Sequence, residues 1–554
     1  MFDRINFQKK QSFILLLFYF GAFFSVILVF KDFGVHIEEK FHRMNGLHWL
    51  NYIAKLFELE NIFLETSLKI NAVNDYTLNT ISNFDKYGAI FDTPLAFIEI
   101  IFGIEKIENT YHTKHILSFL IFLISSFFFF KILVKRFKNN FICFIGTVLF
   151  ITSPRIFGDS FLYKDVLFLS FFNIALYFFL ELIEKLSLKN LLYLALFSAI
   201  AFNLRIFGIF LPIAFFLLLM IKNFYDKKFF KYAKFYLFYL LSFFFFIILI
   251  SPYLWESPII NFIEIFTQLK KSGIITIRIL FDNELVNNQN VPADYLVTWM
   301  LISTPIFIIT FFIIGYVSFF LRFINRFFTI KEKSIFNDLW RGNNEQKDFA
   351  IFFLLTSYFL IFTILNAPLH NGWRLVYFLN IFIVYFSVYF LNNLFLSFRN
   401  KKYKKYLVFS TAVVSIIYNI FSLIVYHPYQ SYYFNELVSD NKKNNFEIDY
   451  YGLSAKDFFL KISEENKDKL LRIGVASYTP LHRGLEGIDM NLRKNLTVAG
   501  QEYHNVDFIY KNNITDVNRK LNKKYNMPNN FDKIHELKID GMIIYEIYKN
   551  MNIK

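Results

Sequence analysis

A chain of 554 residues that is 55% apolar, with a mean hydropathy of +0.39 and repeated long apolar runs, falls outside the soluble class and reads as a multi-pass membrane protein. Its net charge of +15 would point to nucleic acid in a soluble protein. Here the cations collect in the connections between apolar runs, which excludes a polynucleotide partner and makes the charge an orientation signal.

The first run, "QSFILLLFYFGAFFSVILVF" (11-30), follows Arg4, Lys9 and Lys10 and has no small-residue cleavage site, so it is expected to stay as an uncleaved first span with residue 1 inside. Further spans are expected at 115-134, 139-153, 165-181, 189-204, 206-221, 235-252, 296-321, 349-367, 375-395 and 407-426, eleven in all. The inner connections 222-234, 322-348 and 396-406 carry 5, 6 and 5 Lys+Arg, whereas the short outer connections 154-164 and 368-374 carry 2 and 1. That asymmetry sets the C-terminus outside. The single cysteine, Cys143, lies within an apolar run, so no intrachain disulfide forms and the compartment cannot be read from cysteines.

Three outer segments are too long to be mere connections: 31-114, 253-295 and everything after 427. In the first, "LHWLNYIAKLFELENIF" (47-63) has the helical apolar spacing of an interfacial helix, and "PLAFIEIIFGI" (94-104) is a second apolar helix too short to span. The chain thus divides into a transmembrane domain, 1-426, and an outer α/β domain, 427-554. Strands are expected at 472-477 and 506-510, with a hairpin at Asp540-Gly541. Ser454 is the expected cap of the helix that follows it, and no internal repeat is present.

Ionisable groups are scarce in the middles of the spans and gather at their outer ends: Glu38 and Glu39, Lys114 and His115, Arg155, Asp159, Lys164 and Asp165, Arg205, and His370 and Arg374. If the spans bundle, these groups can meet in one cavity at the outer water-membrane boundary, where a lipid-linked phosphate would sit. Each has a plainer reading. Glu38 and Glu39 fit a solvated loop face, Arg205 and Arg374 fit headgroup anchors, and His36 and His42, six apart without a third ligand, fit packed or solvated histidines and no metal site. Four charges within "SPRIFGDSFLYKD" (153-165) exceed what a lipid-facing turn needs.

These motifs also carry a resemblance. "EEKFHRMNG" (38-46) is similar to the acidic "DE…YG" motif of GT-C-fold glycosyltransferases related to dolichyl-phosphate-mannose mannosyltransferases and aminoarabinose transferases, and "YGAIFD" (87-92) looks like the "YG-x-LFD" that follows it. "KH" (114-115) stands where "RH" is usual. "SPRIFGDSFLYKD" resembles "TPRFYGHSFFNPKD", "NLRIFG" (203-208) resembles "GTRITG", and "NGWR" (371-374) resembles "DGWR". "HPYQSYYFNEL" (427-437) and "FEIDYYGLS" (446-454) are similar to "HPYEYVYYNPL" and "FELDYWGLS". The order and placement of the motifs suggest a bacterial, family-39-like branch. Two departures stand out: Glu38 replaces the leading Asp, and "NPKD" has become "LYKD" with Asp159 where a His is usual.

The resemblance implies an α-helical GT-C membrane enzyme of the bacterial cell envelope, in the inner membrane with its C-terminus in the periplasm. Such an enzyme moves a sugar from a polyprenyl-phosphate donor to a lipid, glycan or protein acceptor with inversion. Glu38 is then the expected general base, with Asp165 orienting Lys164 or the acceptor. Glu39, Lys114, His115, Arg155, Lys164, Arg205, His370 and Arg374 are the expected substrate contacts. Glu39 is expected to matter less, through packing or a bond to Lys40 or Arg43, and Asp165 or Asp159 is the fallback base. One base suffices because a phosphate leaving group needs cations and no general acid. No cofactor or metal is demanded by the spacing, although a divalent cation is compatible with it. A transporter or flippase of a lipid-linked sugar and a noncatalytic scaffold stay open as alternatives, the first disfavoured by the lack of repeats and of midplane charge.

Overall fold

The computed structural model describes residues 2-73, 87-162, 164-226, 229-272, 277-328, 340-364, 368-398, 400-467 and 469-552. Parts of the segments 31-114 and 253-295, Tyr163 and the end of the span expected at 349-367 lie outside the described residues.

The helices in chain order are α1 (Phe2–Val29), α2 (Glu39–Leu56), α3 (Glu60–Asn71), α4 (Asp92–Ile101), α5 (Ile107–Phe137), α6 (Asn140–Ile151), α7 (Pro154–Leu162), α8 (Asp165–Glu184), α9 (Leu188–Leu204), α10 (Phe210–Asp226), α11 (Phe229–Ile250) and α12 (Pro258–Ser272). A short hairpin, β1 (Arg278–Phe281) and β2 (Glu284–Asn287), precedes α13 (Tyr295–Ser303), α14 (Ile306–Phe328), α15 (Asn343–Ile364), α16 (Leu379–Ser397) and α17 (Lys402–Val425). Among the described residues, seven helices are long and apolar enough to cross a membrane: α5, α8, α11, α14, α15, α16 and α17. The pair α6–α7 makes an eighth if its 58° bend is one broken span, and α1, α9 and α10 supply shorter apolar segments. Each of the eleven expected spans therefore has a helical counterpart.

The differences have backbone causes. The span expected at 139-153 ends at Ile151 and turns into α7, because Pro154 offers no N–H and disfavours helix in the residue before it. The span expected at 296-321 is broken at Pro305 into α13 and α14, and Asn435 Nδ2 donates to the freed carbonyls of Leu301 and Thr304 at 2.6 Å each. The interfacial helix expected at 47-63 begins earlier, at Glu39, and breaks at Glu58, where φ is +55°. Its outward side, with Leu56, Phe57, Leu59 and Leu64 exposed, keeps the expected apolar face.

α16 runs through the centre of the bundle with nearly every residue from Leu379 to Leu391 buried. At the end away from Glu38, the fully buried Asp348 of α15 takes a bidentate bond from Arg136 of α5 at 2.6 Å and another from the Tyr385 hydroxyl of α16, which ties three helices together.

Beyond α17 the chain folds back over the end of the bundle that carries Glu38, with Asn435 N bonded to Ile302 O and Glu447 N to Leu280 O. After α18 (Asp440–Lys443) and α19 (Ser454–Glu465) comes a five-stranded sheet in the order β4-β3-β5-β7-β6. Its strands are β3 (Leu471–Val475), β4 (Leu496–Gly500), β5 (Phe508–Lys511), β6 (Phe531–Ile539) and β7 (Met542–Asn550). β3, β5 and the β6–β7 hairpin match the expected strands, and Asp540 and Gly541 both take positive φ at the turn, +46° and +81°. Ser454 does not cap α19 through its side chain; it starts the helix, and its Oγ donates to the buried Asp449 carboxylate. The segment after α17 grips the chain around the start of α2: Arg483 Nη1 donates to Ile37 O at 2.7 Å, Ile37 N to Tyr451 O at 3.0 Å, and Lys40 pairs with Glu486 at 2.9 Å.

Candidate active site at the Glu38 end of the bundle

A narrow cleft lies where the start of α2, the end of α7, the start of α8 and the returning segment at Tyr451 meet, lined by His36, Glu38, Glu39, His42, Asp159, Leu162, Lys164, Asp165 and Tyr451. The close packing has a sequence cause in Gly158 of α7. A Cβ there would lie 2.7 Å from Ser431 N, so only glycine lets the 430-432 turn close over α7. With that contact made, the Tyr451 hydroxyl donates to Asp159 Oδ2 at 2.9 Å.

Glu38 is the residue most open to the cleft, 38% exposed at its side chain. Its Oε1 accepts from Arg374 Nη2 at 2.8 Å, and Arg374, which is buried, lies over the Tyr451 ring. His36 Nδ1 accepts the Glu38 N–H at 2.9 Å, which fixes the turn leading into α2. Burial pushes the Glu38 carboxyl up, but Arg374, His36 and His42 together outweigh it and hold the carboxyl well below the usual range. In this state Glu38 is an anion with weak basicity.

The neighbouring acid points elsewhere. Glu39 is buried, and its Oε1 accepts from Lys114 Nζ at 3.0 Å and faces His115 Nε2 at 3.0 Å. Burial raises its carboxyl, and Lys114 and His115 overcome that to bring it down to about 2. The expected partners are replaced: Lys40 pairs with Glu486, and Arg43 forms a bidentate pair with Glu99 of α4.

Lys164 differs from the other cations. It is buried at the entrance to α8, with Nζ 4.7 Å from the centre of the Tyr87 ring, and its ammonium makes no hydrogen bond or ion pair with any described residue. Its φ of +46° is a left-handed value that a lysine rarely adopts, a strain of order 1–3 kcal/mol held at the head of the helix. Burial lowers its ammonium to about 8, Arg205 adds to that, and Asp92, Glu38 and Asp165 oppose it. Arg205 pairs with Asp165, and among the described residues neither its Nε nor that of Arg374 has a hydrogen-bond partner. His370 bonds Asn288 Nδ2 at 3.2 Å, and burial, with Arg374 and Arg205 adding to it, takes its imidazole down to about 4.

Residues 93–255, from α4 to just beyond α11, match the family model of dolichyl-phosphate-mannose-protein mannosyltransferases. Over this segment the chain is similar to that mannosyltransferase family. The matched stretch holds Lys114, His115, Arg155, Asp159, Lys164, Asp165 and Arg205, whereas Glu38, His42, Asp92 and Arg374 lie outside it. No curated protein matches the sequence. Among solved structures, ArnT from Cupriavidus metallidurans bound to undecaprenyl phosphate is similar at 8% identity and a TM-score of 0.44, covering 97% of this chain and 98% of that one. A likeness of that degree carries no functional argument.

Set beside the mannosyltransferase-like motifs, the expected site residues fall into two groups. Glu38, Lys164, Asp165, Arg205, His370 and Arg374 gather at or beside the cleft. Lys114 and His115 are instead buried behind Glu39, and Arg155 is buried with Nε bonded to Tyr433 O and its guanidinium over Trp299 and Phe434. In this structure these three support the wall and floor and do not face the cleft. The sequence reading missed Tyr451 as a lining residue and the contact between His42 and Asp92. Both sit in quoted motifs, "FEIDYYGLS" and "YGAIFD", which was the signal available. Among the described residues no cluster of three or more His, Cys, Asp or Glu could hold a metal ion.

Proposed function

We propose that the protein transfers a sugar from a polyprenyl-phosphate donor to a hydroxyl acceptor at the outer face of the membrane, with inversion. The observation that carries this reading is a group of cations at one cleft that keep unused donors among the described residues, gathered beside Glu38. Among the described residues the Lys164 ammonium makes no hydrogen bond or close ion pair, Arg205 and Arg374 each keep an unsatisfied Nε, and Glu38 stands among them. Buried donors without acceptors are costly unless a ligand completes them, and a phosphate supplies several oxygens at once. The family match over residues 93–255 supports the same chemistry.

In this reading the donor phosphate takes Lys164, Arg205 and Arg374. As Arg374 turns to the phosphate, Glu38 loses the partner that depresses it and its basicity returns toward that of an ordinary carboxylate. It then accepts the acceptor's proton, a contribution of about 10²–10⁴-fold. The leaving phosphate needs no acid, because the cations hold its growing charge. Glu39, fixed by Lys114 and His115, keeps α2 in place. Asp165 holds Arg205 in position. The chain divides functionally into the bundle, residues 1-426, and the outer domain, 427-554, which contributes Tyr451 to the cleft wall.

The test is mass spectrometry of the lipid that copurifies with the protein, followed by incubation of that lipid with native membrane acceptors. A polyprenyl-phosphate sugar converted to free polyprenyl phosphate supports transfer. Movement of the intact lipid-linked sugar across a vesicle without cleavage supports a transporter and sinks the proposal.

A further inference from the structure

His42 lies one helical turn after Glu38 on the same face of α2 and is buried. Its Nδ1 is 3.2 Å from Oδ2 of Asp92, the first residue of α4, and that oxygen also accepts Asn45 Nδ2 at 2.6 Å. An ionised carboxylate only accepts, so Nδ1 carries the hydrogen and Nε2 is the basic nitrogen. Nε2 sits 4.0 Å from Glu38 Oε2. The approach of the two helices depends on Gly46, four residues on, where a Cβ would lie 2.2 Å from Asp92 O. Burial holds the His42 imidazole below its usual range, Asp92 opposes this, and Lys164 and Lys114 reinforce it, so the ring is neutral at neutral pH.

We propose that His42, oriented by Asp92, takes from Glu38 the proton that Glu38 removes from the acceptor hydroxyl. This deepens the transfer reading above and rests on it. The acceptor oxygen bonds to the anomeric carbon, and the bond from that carbon to the phosphate oxygen breaks with its electron pair kept by the phosphate. The hydroxyl proton passes to a Glu38 oxygen and on to His42 Nε2. The imidazolium so formed lies between the Asp92 and Glu38 carboxylates and is faced by Lys114, Lys164 and the Tyr87 ring. His42 itself lines the cleft, from which the proton returns to water. A carboxylate weakened as a base by nearby cations is thus restored to its anion within the same turnover.

The test uses the full chain in detergent. Undecaprenyl-phosphate-linked hexoses and pentoses serve as donors, total native membrane lipid as acceptor, and release of undecaprenyl phosphate is followed from about pH 5 to 9. His42→Gln keeps a donor for Asp92 without a basic nitrogen. It is expected to lower turnover about 10–100-fold, leave undecaprenyl phosphate affinity unchanged, and abolish the acid limb that the wild type shows below its His42 pKa. Asp92→Asn should cause a smaller loss. His42→Gln at wild-type turnover with an unchanged pH profile overturns the relay. Glu38→Gln in the same assay separates the two claims: inactive Glu38→Gln beside normal His42→Gln sinks the relay alone, fully active Glu38→Gln sinks the relay together with Glu38's role as base, and a wild type that releases no undecaprenyl phosphate from any donor sinks the transfer reading itself. Independently of turnover, the ¹⁵N-histidine resonance lost in His42→Gln should report the Nδ1–H tautomer in the wild type, and an Nε2–H tautomer overturns the proposal.

Discussion

Arg374 Nη2 donates to Glu38 Oε1 at 2.8 Å, joining the end of a turn before α16 to the start of α2 across 336 residues of sequence. The expected phosphate ligand and the expected base thus neutralise each other, and a donor phosphate must compete for the arginine before the acid can act. Several measurable consequences follow from that competition and from the residues around it.

Arg374→Ala should weaken undecaprenyl phosphate binding about tenfold or more, because it removes a charge-assisted, partly dehydrated contact. Arg374→Lys should recover only part of the loss, since a point charge cannot reproduce the guanidinium fork. Calorimetric titration of the purified variants measures both. Unaltered binding in the alanine variant would reduce Arg374 to a structural partner of Glu38.

Glu38→Gln should lower turnover by at least about 10²-fold while the same titration shows donor binding retained. Glu39→Gln should behave differently. It leaves Lys114 and His115 facing a neutral amide in a buried site, so its loss should appear first as a fall in melting temperature. Glu38→Asp should keep part of the activity with a shorter reach.

Lys164→Met offers a test of sign. With a folded pKa of about 8 against about 10.4 unfolded, the unfolded chain binds more protons between those values, so wild-type stability should rise with pH across that window. Below about pH 8 the cost of the buried ammonium is fully present, at most roughly 3 kcal/mol. Delipidated Lys164→Met should therefore melt higher than the wild type at pH 7 and bind undecaprenyl phosphate less well. A variant that melts lower at pH 7 would mean that Lys164 already has a stabilising partner in the free protein.

Gly46→Ala should force α2 from α4, given the 2.2 Å approach to the Asp92 carbonyl. Both a lower melting temperature and lower turnover are expected, whereas Gly21→Ala, which meets nothing within 4 Å, should be silent in both assays.

The orientation argued from loop charge is checked by cysteines introduced near residues 340 and 500 in a Cys143→Ser background. A membrane-impermeant reagent added to intact cells should label the second and spare the first. Labelling of both on one side would remove the outer placement of Glu38.

The fold was largely legible because bilayer thickness sets the length of each apolar run and the hairpin at Asp540-Gly541 has a strong local signal. What escaped was tertiary in origin. The breaks at Pro154 and Pro305 sit inside hydropathy windows that average over them. Ser454 looks like a cap by sequence, yet Asp449, five residues back, claims its hydroxyl. In the site, the span-end positions of Glu38, Arg374, Lys164 and Arg205 could be read from the chain. That Lys114 and His115 would turn toward Glu39, and that His42 would meet Asp92, depends on how α2, α4 and α5 pack, and spacing along the sequence does not encode that packing.

The grip of Arg483 on the Ile37 carbonyl, with Lys40 held by Glu486, also sets an order in time. The acid that opens the cleft is made within the first tenth of synthesis, but the groups that fix its turn leave the ribosome more than 400 residues later. A nascent chain halted between α17 and the sheet would hold its apolar helices and have no finished site. Truncation within the C-terminal sheet should consequently abolish activity without preventing insertion, so the docking of that sheet's loops on the Glu38 turn acts as the step that completes the site.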